Sequence, residues 1–245
     1  MNRQSPFSYQ CNQCGRCCHN QVITLSPVDV IATARATGLT TSATVALYTM
    51  RRGSLLRFNS DGGCAALEGL RCTIHRGRPL ACRLYPLGLE RDGTLERFIR
   101  LAPASGSAGV YGDISTVNEF LSGQGVDELL LLNERYRPLI ATMRDRVAGM
   151  IDFDIVEPNE FWKRAVAEAL RETDFDANPI IDALFDPDGA CGYRNSIAAT
   201  VEAHLAVLRS MALRESDPAA LAVAAVILAI SLGYSPAEAI SSGES

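Results

Sequence analysis

The sequence predicts an α-rich α+β protein in two parts. A small cysteine-cluster module with short strands is expected over residues 1–110, and a helical region over 111–245. Three observations predict this division. Seven of the eight cysteines lie between Cys11 and Cys82. Short apolar runs, cut by glycine turns, separate those cysteines and suit strands better than long helices. Beyond Gly112 the apolar spacing turns helical, punctuated by Pro158, Pro187, Pro218 and Pro236.

Within the first part, Leu25–Gly38 reads as a helix. Ser26 can cap it, Pro27 suits its first turn, Asp29 suits its positive end and Gly38 stops it. A second helix is expected from Thr41 to Arg52, ending at Gly53. Strand-like pieces follow at Leu55–Phe58, Cys64–Leu67, Cys72–His75 and Arg97–Leu101, with turns at Gly62-Gly63, Gly69 and Asp92-Gly93. The glycine-rich stretch Ala102–Gly112 reads as a boundary or as a loop covering the cysteines. Helices are then expected at Ser115–Leu121, Val126–Ile151, Glu160–Thr173, Pro179–Phe185, Ser196–Arg214, Pro218–Leu232 and Pro236–Ser241.

Composition narrows the function classes. The chain has 245 residues, 47% of them hydrophobic, and a formal net charge of −5. An acidic chain with no concentrated basic face argues against nucleic acid as a partner. The apolar run Ala219–Leu232 is too short and alanine-rich for a membrane span and is expected to be a buried helix, so no membrane partner is foreseen. No apolar run follows the single basic residue of Met1–Pro6, which argues against a secretory signal and for a cytoplasmic protein with reduced thiols.

The cysteines admit three chemistries. A disulfide framework fits poorly with seven clustered thiols and no export signal. A thioredoxin-like dithiol needs a strand before its C-x-x-C pair, and the roughly ten polar residues ahead of Cys11 offer none. A metal centre fits best. Cys11, Cys14 and Cys17 follow the C-x2-C-x2-C spacing of ferredoxin-type iron–sulfur ligation, and Cys64, Cys72 and Cys82 can act as remote ligands. The C-x2-C pairs and Cys72-Thr-Ile-His75 equally suit zinc. Cys18 adjoins Cys17; in extended backbone the two side chains would point to opposite faces, so they are not expected to share one ion. With His75 the seven cysteines make eight donors, enough for two tetrahedral sites. Arg16, Arg71, Arg76, Arg78 and Arg83 could offset thiolate charge, and Pro79 and Pro86 could stiffen the segment presenting Cys82.

The pattern C-x2-C-G-x-C-C, followed by C-x7-C-x2-H and by R-P-x-x-C-R-x-Y-P, resembles the YkgJ-type cysteine cluster family over about residues 8–110. The resemblance implies a zinc- or iron-chelating domain. It puts the family's cysteine set on Cys11, Cys14, Cys17, Cys18, Cys64, Cys72 and Cys82, and a second signature on Arg78-Pro79 and Cys82-Arg83. The sequence departs from the family at two places. The position of His75 is often tyrosine there, and a further downstream cysteine is replaced here by Ala102-Pro103.

The resulting expectation is a cysteine-ligated centre, either an iron–sulfur cluster of the 4Fe-4S type in a redox or modifying role, or zinc. A structural zinc module for a protein partner and a metal-trafficking protein are the alternatives. No substrate, reaction or nucleotide-binding fingerprint is visible, and three histidines make a hydrolase triad improbable. Cys191, His204 and Trp162 read as packing residues.

Overall fold

The computed structural model describes residues 1–92, 95–151, 157–171 and 176–240. The expected turn position Gly93 and the helix ends at 172–173 and 241 lie outside these residues. In chain order the elements are β1 (Pro6–Gln10), α1 (Pro27–Thr37), α2 (Thr41–Tyr48), β2 (Thr49–Met50), β3 (Leu55–Leu56), β4 (Leu67–Glu68), β5 (Arg71–Cys72), α3 (Leu80–Leu84), β6 (Leu87–Asp92), β7 (Leu95–Arg100) and β8 (Val110–Thr116). There follow α4 (Val117–Gly123), α5 (Val126–Glu134), α6 (Arg137–Ala148), α7 (Pro158–Ala169), α8 (Pro179–Phe185), α9 (Pro187–Cys191), α10 (Ile197–Arg214), α11 (Pro218–Ser231) and α12 (Pro236–Ile240). The strands pair antiparallel in twos: β1 with β8, β2 with β3, β4 with β5 and β6 with β7. The fold is α-rich α+β, as the sequence predicts.

Helix α1 sits between the cysteine segment and the helical layer. Ser26 and Asp29 form a reciprocal capping box, Pro27 occupies the first turn, and Gly38 closes the helix with a left-handed φ of 72°. Every residue from Pro27 to Ala34 is buried, so α1 is enclosed on all sides rather than amphipathic. Helix α11 is the core of the helical layer. It packs against α6, α7 and α8, and Leu221, Ala222 and the run Ala224–Ala229 are buried. No helix among the described residues is long and apolar enough to cross a membrane.

Two apolar clusters result. The larger draws on Phe7 of β1, Val28 and Ile31 of α1, Phe98 of β7 and the helices from α4 onward. The smaller consists of Leu25, Leu56, Cys64, Ala66 and Ile74, flanked by Cys18 and Cys72. The thiols therefore border a core of five residues, too few to hold that segment by burial alone.

Several expectations need correction. A strand does precede Cys11: Phe7 packs inward from β1, and the strand's partner, β8, occupies part of the stretch expected to be loop. Short composition hid it because its pairing is long-range. The helix expected to reach Arg52 stops at Tyr48, where the Thr49 hydroxyl donates to the Val45 carbonyl (2.7 Å), and Arg51 and Arg52 then adopt left-handed φ. Gly53 is needed there, since a Cβ would lie 2.3 Å from Phe185 Cβ. The single helix expected over Val126–Ile151 is two, α5 and α6. Pro138 cannot donate back to Glu134, and its ring would clash with that carbonyl. Strand structure near Cys72 covers Arg71–Cys72, and His75 instead opens a 3-10 turn. Strand β6 and the short helices α3 and α9 were not foreseen.

His204 of α10 is fully buried with both ring nitrogens engaged. Nε2 donates to the Ala183 carbonyl (2.8 Å), and Nδ1 accepts from the Tyr136 hydroxyl (2.8 Å). The ring is thus neutral, and burial lowers its pKa to about 4. The unfolded chain, with an ordinary imidazole, takes up this proton first. The associated stability is therefore complete above pH 6.5 and is lost as pH falls from about 6.5 through 4, by about 3 kcal/mol. Denaturant unfolding measured across that interval should show the decline, and His204→Gln should flatten it.

Candidate metal centre

The first group of thiols hangs from the end of β1. Gln13 has a φ of 52°, which turns its N–H onto Cys11 Sγ (3.4 Å). Gly15, with φ 70°, then starts a 3-10 turn over Arg16–Cys18, closed by the Cys18 N–H to the Gly15 carbonyl (3.0 Å). Successive side chains in such a turn are rotated by about 120°, not 180° as in a strand. Cys17 Sγ and Cys18 Sγ consequently lie 4.0 Å apart, which corrects the expectation that they face opposite ways. The edge of a tetrahedral zinc–thiolate site with 2.3 Å bonds is about 3.8 Å, so this pair is spaced to share an ion.

The second group is zipped to the first by backbone. The Asn20 N–H donates to the Gly62 carbonyl (2.9 Å) and the Cys64 N–H to the Cys18 carbonyl (2.8 Å), with His19 bridged to Gly63. Cys64 is buried, and its sulfur accepts from the Ala66 N–H (3.5 Å). The hairpin of β4 and β5 turns at Gly69 and returns Cys72 to the same side.

Cys82 arrives on α3, which α1 holds in place. Asp29 Oδ1 accepts from the Leu80 N–H (2.7 Å), while Oδ2 accepts from the Ser26 N–H and hydroxyl (both 2.9 Å). Thr33 Oγ1 donates to the Gly77 carbonyl (2.7 Å). A side chain at Gly77 would meet the Ala32 carbonyl oxygen at 2.5 Å, so only glycine lets this segment lie against α1.

The thiols share one electrostatic field. Cys14, Cys18, Cys64, Cys72 and Cys82 each interact with Cys17. The Cys17 pKa is lowered, first by the hydrogen bond from Cys18, with the charge of Arg78 adding to the drop. Cys18 is raised by the same bond, then by burial. Burial raises Cys64, Cys72 and Cys82, and neighbouring thiols add to the rise. The exposed rim differs: backbone N–H groups of Ala108 and Arg16 lower Cys14. Each thiolate formed thus opposes the next, and only a cation would let several coexist. Clustered soft donors on a small core fit a thiophilic metal.

Arg78 and Arg83 spend their hydrogen bonds on neutral oxygens. Arg78 donates to the His75 carbonyl (2.8 Å) and Gln124 Oε1 (2.5 Å). Arg83 donates to the carbonyls of Arg78 (3.0 Å), Gln124 (2.8 Å) and Arg76 (2.7 Å). The Arg78 charge acts on Cys17 and Cys72, adding to the drop at Cys17 and opposing the burial-driven rise at Cys72. The loop after β7 lies over the rim: Ala108 N–H approaches Cys14 Sγ (3.5 Å), and Asn12 Nδ2 donates to the Ala108 carbonyl (2.6 Å).

His75 is exposed, with Nδ1 3.3 Å from Arg78 Nη1, and its surroundings are guanidinium groups. Cys191 lies on α9, in the field of Arg194, Asp188 and Arg35. Among the described residues, no three His, Cys, Asp or Glu side chains converge closely enough to hold an ion as they stand. His19 escaped the sequence reading. It directly follows Cys18, and its Nδ1 lies 3.0 Å from the Gly15 carbonyl oxygen. Its place beside the C-C pair was the available signal.

The short strands and the clustered thiols make up a cysteine-rich segment around a small core. The family model CxxCxxCC, described as a "Putative zinc- or iron-chelating domain", covers residues 10–100. No curated protein and no solved structure matched the chain.

Asp29→Asn would set an amide N–H2 against the donors of Ser26 or Leu80. The expected cost is about 2–3 kcal/mol of stability by denaturant unfolding, with reduced metal retention because α3 carries Cys82.

Proposed function

We propose that residues 10–100 hold an iron–sulfur cluster, of the 4Fe-4S type, that serves a redox or modifying role. One observation carries this reading: the Cys18 carbonyl accepts from the Cys64 N–H (2.8 Å), which brings a remote cysteine beside the ferredoxin-type C-x2-C-x2-C run of Cys11, Cys14 and Cys17. A cluster of this type takes four thiolates, which would be drawn from Cys11, Cys14, Cys17, Cys18, Cys64, Cys72 and Cys82. Arg78 and Arg83 would offset the net negative charge of a thiolate-bound centre. When bound, the cluster would supply one-electron chemistry. His75, turned toward Arg78, stands outside this donor set.

A second reading is a zinc site, and the 4.0 Å separation of Cys17 and Cys18 favours it. In either case the thiols must draw together on binding. Metal uptake would then be coupled to folding of the small cluster around Leu25, Leu56 and Ile74.

Iron and acid-labile sulfide analysis of anaerobically purified protein, beside a visible spectrum, tests these readings. Iron with sulfide and thiolate-to-iron absorbance is expected. Colourless protein holding zinc alone would replace the first reading with the second. Cys17→Ser should lose most of the bound metal and lower the melting temperature. A variant that keeps both would show that Cys17 is not a ligand.

A further inference from the structure

A cleft of about 550 Å³ opens where the residues ahead of β1, the β6–β7 hairpin and the helical layer meet. Its size is that of a small-molecule site. Tyr234 lines it and ties these pieces together. The residue is buried, its backbone is bridged to Arg91 of β6, and its hydroxyl donates to Glu134 Oε1 of α5 (2.7 Å). Two guanidinium groups lie over its ring, Arg91 at 5.6 Å and Arg137 at 5.2 Å from the centroid. The two differ in what else they touch. Arg91 pairs with Glu134 and with Glu96 (3.3 Å). A third arginine of the cleft, Arg3, pairs with Glu96 (2.8 Å) and, outside the lining, with Asp127 (2.7 Å). The Arg137 guanidinium has neither an ion pair nor a hydrogen bond among the described residues, and its contact is the Tyr234 ring. A second donor is also unmet. The Arg91 side chain is only 6% exposed, and its Nε has no acceptor among the described residues. The cationic side of the cleft is therefore short of acceptors. Leu95, the first residue of β7, lines the same cleft and is 71% exposed, so apolar surface is available there too.

We propose that this cleft binds a small organic monocarboxylate, with the carboxylate paired to Arg137 and the hydrocarbon body against Leu95. A planar carboxylate matches the forked donors of a guanidinium group. A phosphate dianion fits less well, because Glu96 and Glu134 line the same cleft and repel its second charge. No cysteine lines the cleft, so this inference is independent of the metal-binding reading and stands if that reading fails.

The test uses the full chain with its arginine side chains labelled with nitrogen-15, titrated with hexanoate at low ionic strength. Arg137→Gln identifies the Arg137 signal. A saturable shift of the Arg137 Nε–H resonance is expected, with weaker binding of acetate, which lacks the hydrocarbon body. Arg137→Gln should bind hexanoate at least ~10-fold more weakly by calorimetry. It should keep a melting temperature close to the parent's, since Arg137 is only half-buried. Leu95→Ala, at an exposed position, should weaken hexanoate and leave acetate unchanged. Hexanoate that produces no saturable shift at Arg137, or binds Arg137→Gln as tightly as the parent, would overturn the proposal. Inorganic phosphate binding more tightly than hexanoate would overturn the carboxylate assignment.

Discussion

The carboxylate of Asp29 ties α1 to the segment that carries Cys82. It is buried, yet its oxygens are engaged by the Ser26 N–H and hydroxyl and by the Leu80 N–H. One side chain thereby caps α1 and fixes the start of α3. A lone carboxylate in such a place would be expensive; burial pushes its pKa up, and the three donors act against that rise. Around this contact, Thr33 holds the Gly77 carbonyl, and Gly77 gives the close approach that lets the Cys82 segment lie on α1. The helical layer anchors α1, α1 anchors α3, and α3 presents a thiol.

The cysteine segment presents the opposite problem. Its core is small, its strands are mostly two residues long, and its polar sulfurs are partly withdrawn from water. Backbone bonds between residues 18–20 and 62–64 bring the thiols near one another without neutralising them. Protonated, they pack as small hydrophobes beside Leu25, Leu56 and Ile74. Ionised together, they would repel. The same residues therefore suit two states, a thiol state stabilised by burial and a thiolate state stabilised by a cation.

The legible features were local ones. The caps of α1 and the starts of the helices led by Pro179, Pro218 and Pro236 depend on residues a few positions apart, and these read correctly. The features that escaped depend on distant partners. Phe7 marks a strand only because Val110–Thr116 comes back to pair with it. Tyr85 and the Ala104 N–H, 3.0 Å apart, help lay a glycine-rich stretch across the site. Asp29 was read as a helix-end charge, and its bond to Leu80, fifty-one positions away, had no sequence signature. The relation of Cys17 to Cys18 was misjudged because adjacency was read as extended backbone, whereas Gly15 starts a helical turn.

The pairing of β1 with β8 bears on how the chain is made. The run that carries Cys11–Cys18 leaves the ribosome before the partner of its flanking strand, which is complete only once residue 116 has emerged. At ordinary elongation rates, the roughly hundred intervening residues take about 5–20 s to synthesise. Throughout that interval four closely spaced thiols are held by neither sheet nor core. The nascent chain thus exposes these thiols to its surroundings well before their flanking strand is paired.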